Sequence, residues 1–582
     1  MTKDNTILEV KDLSVAFGGR TVVENICYTL ERGRTLGIVG ESGSGKSVSS
    51  LALMGLLPKQ ATVTGVANLG DTNLLALDEE DFRNVRGKRI SMIFQEPMTS
   101  LNPVQKCGAQ VLEMMKAHSD LRPPTSDLKE CVIALFKEVL LPRPEKIFDS
   151  YPHELSGGQK QRVMIAMALV NNPDILIADE PTTALDVTVQ KTILDLLKQL
   201  QRKHNAAVIF ITHDLGVISQ IADDILVMYR GHVVEKGSAD EILHHPQQPY
   251  TQGLLACRPP LDSKPRRLMT EEDYLFNSEF RKLNYEKENS NTSKFKIQNS
   301  KLIEVRDLSV TYTLQKNLFG KATETLTAVD GLTFDIREGE TLGLVGESGC
   351  GKSTLGRALL RLIEHSAGSV SYRGTPLDQL TAREMRALRP KLQIIFQDPY
   401  SSLNPRITIG EAISEPLRVH KVFSEQCSVF IDATQNCANQ LNTKHLTLNT
   451  KERVCALMQQ VGLDPDWYNR YPHELSGGQR QRVCIARALI LQPELVVCDE
   501  SVSALDVSVQ AQVLNLLNDL KEQYRFTYLF ITHDLSVVHY MADRVMVMQK
   551  GKVVESGTPD DLFYHPQTDY TRTLLDAIPR ID

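Results

Sequence analysis

The segment TLGIVGESGSGKS at Thr35–Ser47 returns as TLGLVGESGCGKS at Thr341–Ser353, and this repetition constrains the fold of the 582-residue chain more than any other feature. Other segments recur in the same order. LEVKDLS at Leu8–Ser14 returns as IEVRDLS at Ile303–Ser309, and FQEPMTSLNP at Phe94–Pro103 returns as FQDPYSSLNP at Phe396–Pro405. The offset is 306 residues for the glycine-rich segment and 302 for the glutamine segment. It becomes 320 for YPHELSGGQ at Tyr151 and Tyr471, and holds there for Asp179-Glu180 and Asp499-Glu500, for ITHDL at Ile211 and Ile531, and for the Tyr-Thr pairs at Tyr250 and Tyr570. Such a period exceeds any solenoid unit, which spans roughly 20–50 residues. The chain therefore reads as two homologous domains, residues 1–260 and 301–582. The polar segment 261–300, with eight basic and seven acidic residues, reads as the linker between them. The second copy gains 18 residues, placed within Lys421–Thr450 and expected to be a surface elaboration.

Within each copy, short apolar runs such as Asp174–Ala178 and Ala206–Ile211 read as buried parallel strands, and Val189–Arg202 reads as helix. The fold class is α/β, each copy having a parallel-sheet core and a helical subdomain, the latter expected between Asn102 and Tyr151. Apolar content of 42% and charged content of 24% are ordinary globular values. With a mean hydropathy of −0.21 and no long apolar run, the chain is expected not to cross a membrane. Met1–Leu8 shows no secretory signal, so a cytosolic location is expected. Ten scattered cysteines, none in a CxxC pair, disfavour a disulfide frame or zinc finger, and a net charge of −7 disfavours nucleic acid as partner.

Gly40-x-x-x-x-Gly45-Lys46-Ser47 follows the apolar strand Leu36–Val39 and precedes a helical run, the context a P-loop requires. Its glycines let backbone N–H groups converge on phosphate oxygens, its lysine bridges the outer phosphates and its serine can ligate magnesium. The expected ATP-binding set is Gly40, Ser42, Gly43, Gly45, Lys46, Ser47 and Val48, and in the second copy Gly346, Ser348, Gly349, Gly351, Lys352, Ser353 and Thr354. Asp179 and Asp499 end strands, as magnesium ligands do. Glu180 and Glu500 stand where a carboxylate would orient the attacking water. His213 and His533, after IFIT and LFIT, are placed to contact a γ-phosphate, and Gln95 and Gln397 to sense it or the magnesium water. Ser156, Gly158 and Gln159, like Ser476, Gly478 and Gln479, open helices whose N-termini suit an anion. Each copy thus offers two phosphate-binding surfaces, one more than a single nucleotide needs.

These motifs make the chain resemble a fused pair of ATP-binding cassette (ABC) ATPases. The resemblance implies ATP and Mg2+ as cofactors, Walker A lysines at Lys46 and Lys352, Q-loop glutamines at Gln95 and Gln397, and signature serines at Ser156 and Ser476. It further implies Walker B aspartates at Asp179 and Asp499, catalytic glutamates at Glu180 and Glu500, and D-loop aspartates at Asp186 and Asp506. Switch histidines fall at His213 and His533, and adenine-stacking aromatics at Phe17 and Tyr312. Head-to-tail packing would sandwich each nucleotide between one Walker A and the other copy's signature. SLNP after each glutamine, the tails RVMIAMAL and RVCIARAL, and HPQQPYT and HPQTDYT are similar to ATPases of oligopeptide, dipeptide and nickel importers. That likeness implies two transmembrane permease subunits, an extracytoplasmic solute-binding protein, and a peripheral position on the cytoplasmic face of the inner membrane. One departure is the missing iron–sulfur cysteine cluster: Cys257 stands alone. The alternatives are a tandem ABC protein acting on ribosomes or DNA, for which a basic arm or zinc-binding cysteine pairs would be expected, and an exporter ATPase.

Overall fold

The computed structural model describes residues 5–95, 100–118, 127–183, 185–261, 263–276, 300–316, 322–420, 450–503 and 505–581. In each copy the fully apolar runs become strands buried on both faces: Thr35–Val39, Ile175–Asp179 and Ala207–Thr212 in the first, Thr341–Val345, Leu495–Asp499 and Thr527–Ile531 in the second. They form a six-stranded sheet in which the P-loop strand lies between the His-bearing strand and Asp224–Tyr229. Neighbouring strands are parallel except at one edge, where His232–Ser238 pairs antiparallel with Asp224–Tyr229. Parallel order matters for the site, because it brings the ends of the P-loop, Asp-Glu and His strands to one edge of the sheet.

A second, four-stranded antiparallel sheet, which strand periodicity alone did not disclose, is built in the first copy from Thr6–Phe17, Arg20–Glu31, Ala61–Leu69 and Thr72–Asn73. Its apolar face closes one core with the underside of the parallel sheet. The expected helical region is present between Asn102 and Tyr151 as Cys107–Ala117, Leu128–Glu138 and Pro144–Asp149, which pack on the helix Gly157–Leu169 through Val111, Val132, Phe136 and Val163. In the second copy Ile409–Val419 and Thr450–Gln460 play the same part; residues 421–449, where the insertion was placed, lie outside the described residues.

The segment after residue 260 differs from a free linker over its described part. Leu268 is buried in the core of the second copy, and its backbone N–H and C=O both bond the Asn515 amide at 2.9 Å. Arg267 pairs with Asp519 at 2.9 Å, and the Lys264 ammonium donates to the Ala542 carbonyl at 2.8 Å. Two apolar anchors, Leu261 and Leu268, set among charges were too sparse to register as periodicity. The reverse crossing occurs at the other end of the chain. Lys191 donates to the Asp576 carbonyl at 2.8 Å, Ser219 donates to the Arg580 carbonyl at 3.0 Å, and Ile581 packs on the first copy's core.

Candidate functional site

Each P-loop is shaped by glycines that no other residue replaces without distortion. At Gly40 φ is 153° and an added Cβ would fall 2.2 Å from the Met228 carbonyl oxygen; at Gly45 φ is 98°. The loop ends in the helix Lys46–Leu53, and Lys352–Leu359 starts the same way in the second copy, so Val48 and Thr354 lie in first turns. Lys46 is buried, and its ammonium donates to the Gly40 and Glu41 carbonyls at 2.6 and 2.8 Å; Lys352 repeats this at 2.7 and 2.9 Å. Burial lowers the Lys46 pKa, against the attraction of Glu180, Asp506, Asp179 and Glu41. A cation held over its own loop's carbonyls faces the space the glycines leave for phosphate.

The carboxylates close one side. Ser47 donates to Asp179 Oδ1 at 3.0 Å and Ser353 to Asp499 Oδ1 at 2.6 Å. Burial pushes the Asp179 carboxyl up to about 6, only partly offset by Ser47, and Asp499 moves the same way. A buried carboxylate beside a hydroxyl is a hard-oxygen donor set that fits Mg2+, which takes few protein ligands. Glu180 and Glu500 sit at the strand ends with φ of 46° and 47°, a left-handed conformation unusual for glutamate. The Glu180 backbone N–H is held by the Ile211 carbonyl at 2.9 Å. Its carboxylate accepts from Gln95 Nε2 and from the Thr183 hydroxyl, each at 2.9 Å, and lies 3.4 Å from His213 Nδ1. Burial alone would raise this carboxyl, but His213, Thr183 and Lys46 pull it down to about 2. Glu500 is likewise lowered, accepting from Gln397 Nε2 at 2.8 Å with His533 Nδ1 at 3.7 Å.

Ser156 and Ser476 cap the helices Gly157–Leu169 and Gly477–Leu489 in reciprocal boxes with Gln159 and Gln479. At Gly157 and Gly477 an added Cβ would meet little or nothing, so the helix N-termini stay open; at Gly158 and Gly478 it would strike Val189 and Val509. Phe17 ends the strand Thr6–Phe17, partly packed on the core, and Tyr312 lies 40% exposed on Lys301–Lys316.

The contacts between copies are reciprocal. The Ser42 N–H donates to Asp506 Oδ2 at 3.1 Å, and the Ser348 N–H to Asp186 Oδ2 at 2.9 Å. Asp506 also stands 3.8 Å from His213. One residue pair further out, Thr188 donates to Glu347 at 2.9 Å and Ser508 donates to Glu41. Tyr250 and Tyr570 accept from the Glu41 and Glu347 N–H groups at 3.2 and 3.1 Å. Glu41, Thr183, Thr188 and Ser508 are site residues that sequence reasoning did not single out. For the tyrosines the sequence carries a signal, since they recur at an offset of 320.

Comparison with known proteins agrees with this geometry. The family pattern described as ABC transporter matches residues 23–183 and 329–503, and that described as oligopeptide/dipeptide transporter, C-terminal region, matches 234–275 and 554–582. The glutathione import ATP-binding protein GsiA of Pectobacterium atrosepticum is 44% identical over 598 residues, covering 100% of this chain and 91% of the relative. That of Salmonella choleraesuis is 44% identical over 595 residues, covering 99% and 90%. Two cassettes in one polypeptide, each with P-loop, acidic strand end and strand-end histidine at one sheet edge, and each followed by the same C-terminal region, place the chain in the ABC transporter family as a fused tandem ABC ATPase whose ATP hydrolysis is coupled to transport.

Proposed function

We propose that the chain is the motor of an importer for oligopeptides, dipeptides or related small solutes such as glutathione, working with two transmembrane permease subunits and an extracytoplasmic solute-binding protein. Identity of 44% along the whole chain with glutathione-import ATP-binding proteins carries this reading. Its position is peripheral, on the cytoplasmic face of the inner membrane. Among the described residues no helix is long and apolar enough to cross a bilayer, which agrees with dependence on permeases for membrane contact. An exposed groove lined by Phe396, Pro416, Val419 and Arg487, next to Gln397 and the helical subdomain, suits a docking permease helix.

The two ATP sites are composite. The first uses Lys46, Ser47, Asp179, Glu180, Gln95 and His213 with Ser476, Gly478 and Gln479 of the second copy; the other uses Lys352, Ser353, Asp499, Glu500, Gln397 and His533 with Ser156, Gly158 and Gln159. The reciprocal Asp506–Ser42 and Asp186–Ser348 contacts support this pairing. Asp179 with Ser47, and Asp499 with Ser353, would hold Mg2+, which supplies charge neutralisation at the phosphates. Glu180 and Glu500 orient and deprotonate the attacking water, and each is kept ionised by its histidine. Gln397, bonded to Glu500, links the permease-facing groove to the water position of its site, and Gln95 is bonded to Glu180 in the same way. Phe17 and Tyr312 are the proposed adenine contacts. The two functional units are 1–260 and 301–582, and the segment 263–276 touches both, through Leu268 on the second and Glu271 on the first.

The test is reconstitution in vesicles with two permease subunits and a solute-binding protein. ATP-dependent uptake of labelled peptide or glutathione, lost with Lys46→Ala, is expected. Hydrolysis stimulated by neither solute would refute the substrate assignment.

A further inference from the structure

In the second copy the turn after Gln397 is gripped by the helix Gly477–Leu489. Gln397 Nε2 donates to Glu500 at 2.8 Å, and the chain then enters the single helical turn Pro399–Ser402. Asp398 ties the two together: its carboxylate accepts from the Tyr400 and Ser401 N–H groups at 2.8 and 3.3 Å, and its carbonyl accepts from the Ser402 hydroxyl at 2.6 Å. Two arginines of the helix hold this piece. The Arg480 guanidinium lies 3.5 Å from the centroid of the Tyr400 ring, and Arg487 donates to the Ser402 carbonyl at 2.7 Å while pairing with Glu415 at 3.2 Å. Arg480 is buried and its Nε has no hydrogen-bond partner among the described residues, so the electron-rich ring face is what compensates its charge. Its backbone N–H donates to the Ser476 carbonyl at 2.9 Å, one turn from the open N-terminus of the helix. At the matching positions the first copy carries Met98, Lys160 and Met167. Met98, which lies outside the described residues, has no ring for a cation, and Met167 has no side-chain donor for a carbonyl.

We propose that Tyr400 and Arg480 are positioning residues whose stack couples occupancy of the second ATP site to closure of the first. The inference rests on the composite-site reading, in which Glu500 belongs to the second site and Ser476 closes the first. The path Glu500, Gln397, Tyr400, Arg480, Ser476 therefore begins at one nucleotide and ends at the other without leaving the second copy. Filling the second site changes what Glu500 faces, and Gln397 follows. The turn tied by Asp398 carries Tyr400 along, and the ring draws Arg480 with it, because separating them would leave a buried guanidinium without its partner. Arg487 on Ser402 is a second fastening further along the same helix, so the helix moves as a body. The first copy lacks the residue types for this grip at Met98 and Met167, so the path exists in the second copy alone. The reciprocal Asp506–Ser42 and Asp186–Ser348 contacts supply a separate link that these residues leave intact.

The experiment uses the full chain carrying Glu180→Gln and Glu500→Gln, which hold ATP unhydrolysed and leave an acceptor for Gln397. Equilibrium binding of ATP at the first site is compared with the second site able to fill and with it blocked by Lys352→Ala; the ratio of the two affinities is the coupling factor. Tyr400→Met, the first copy's residue, is expected to lower that factor roughly 3- to 10-fold, the equivalent of one partly desolvated cation–π contact. Tyr400→Phe, which keeps the ring, is expected to preserve it, and Met98→Ala in the first copy to leave it unchanged. Linkage requires the same loss when the second site is read with the first blocked by Lys46→Ala. A factor unmoved by Tyr400→Met, lowered as much by Tyr400→Phe, or lowered equally by Met98→Ala overturns the proposal. Absence of ATP at the first site with Tyr400 unchanged would strike the ATP-site reading instead. A double-mutant cycle of Tyr400→Met and Arg480→Lys in thermal unfolding without nucleotide then still decides: additive losses overturn the stack, and a shared loss upholds it.

Discussion

Ser42 donates its backbone N–H to the carboxylate of Asp506 at 3.1 Å, across 464 positions of sequence, so one copy's P-loop is completed by a residue of the other. A charge-assisted bond of this kind is worth about 1.5–3 kcal/mol. Asp506→Ala is therefore expected to slow the first site by roughly 10- to 100-fold. Single-turnover hydrolysis in the Glu500→Gln background measures it. The matching effect of Asp186→Ala should fall on the second site, and an effect of either change on its own copy's site alone would contradict the pairing.

Glu180→Gln and Glu500→Gln are each expected to leave nucleotide bound while slowing the corresponding site by roughly 10²–10⁴-fold, the range for loss of a general base. Ser476→Arg should impair the Lys46 site and spare the Lys352 site. Nucleotide retention after gel filtration, combined with single-turnover rates, separates binding from chemistry.

The raised Asp179 carboxyl links magnesium binding to pH. With its pKa near 6 in the folded protein, Asp179 is protonated below that value and must release the proton to hold Mg2+. Affinity for magnesium-ADP at the first site is expected to weaken as pH falls through about 6, with proton release on binding seen by calorimetry in buffers of different ionisation enthalpy. Asp179→Asn should abolish both signals. For Glu180 the sign is opposite. Its folded pKa of about 2 lies below the unfolded value, so its stabilising contribution is complete above the unfolded carboxylate pKa and is lost as pH falls toward 2.

Gly40→Ala should cost stability as well as binding. Its φ of 153° and the 2.2 Å approach to the Met228 carbonyl force the backbone to move, at about 1–3 kcal/mol for such strain. A lowered thermal midpoint without nucleotide, accompanied by lost ATP binding, is the expected result.

Leu268→Ala removes a fully buried anchor from the second copy, and large-to-small core changes of this type cost about 2–5 kcal/mol. Thermal or urea unfolding reads the effect. A change of less than about 0.5 kcal/mol, the usual size for surface positions, would mean the segment is not held as described.

The sequence revealed the repeat, the α/β class and the chemistry-bearing residues because each rests on a local pattern: a glycine spacing, an apolar run ending in Asp-Glu, a serine capping box. What it did not reveal depends on contacts distant along the chain. The antiparallel sheet went unread because its strands, such as Thr6–Phe17 and Arg20–Glu31, carry bulges that interrupt strict alternation. Left-handed Glu180 and Glu500 gave no signal either, since no glycine or asparagine marks those positions. The roles of Glu41 and Ser508 are invisible in one dimension, being neighbours only after the two copies meet. Leu268 lies in a stretch whose charges resemble a solvated tether, and only the cavity it fills explains its presence.

The crossing of chain ends also sets a timetable for synthesis. Cys257 and Leu268 complete a core that belongs to the second copy, while Ile581 covers part of the first. The first copy therefore leaves the ribosome with surfaces whose coverings do not yet exist. At about 5–20 residues per second, some 300 further residues take roughly 15–60 s to appear. Through that interval the newborn first copy carries uncovered apolar surface, and a truncated product ending near residue 300 would carry it permanently, making it a client for chaperones and proteases rather than a working half-motor.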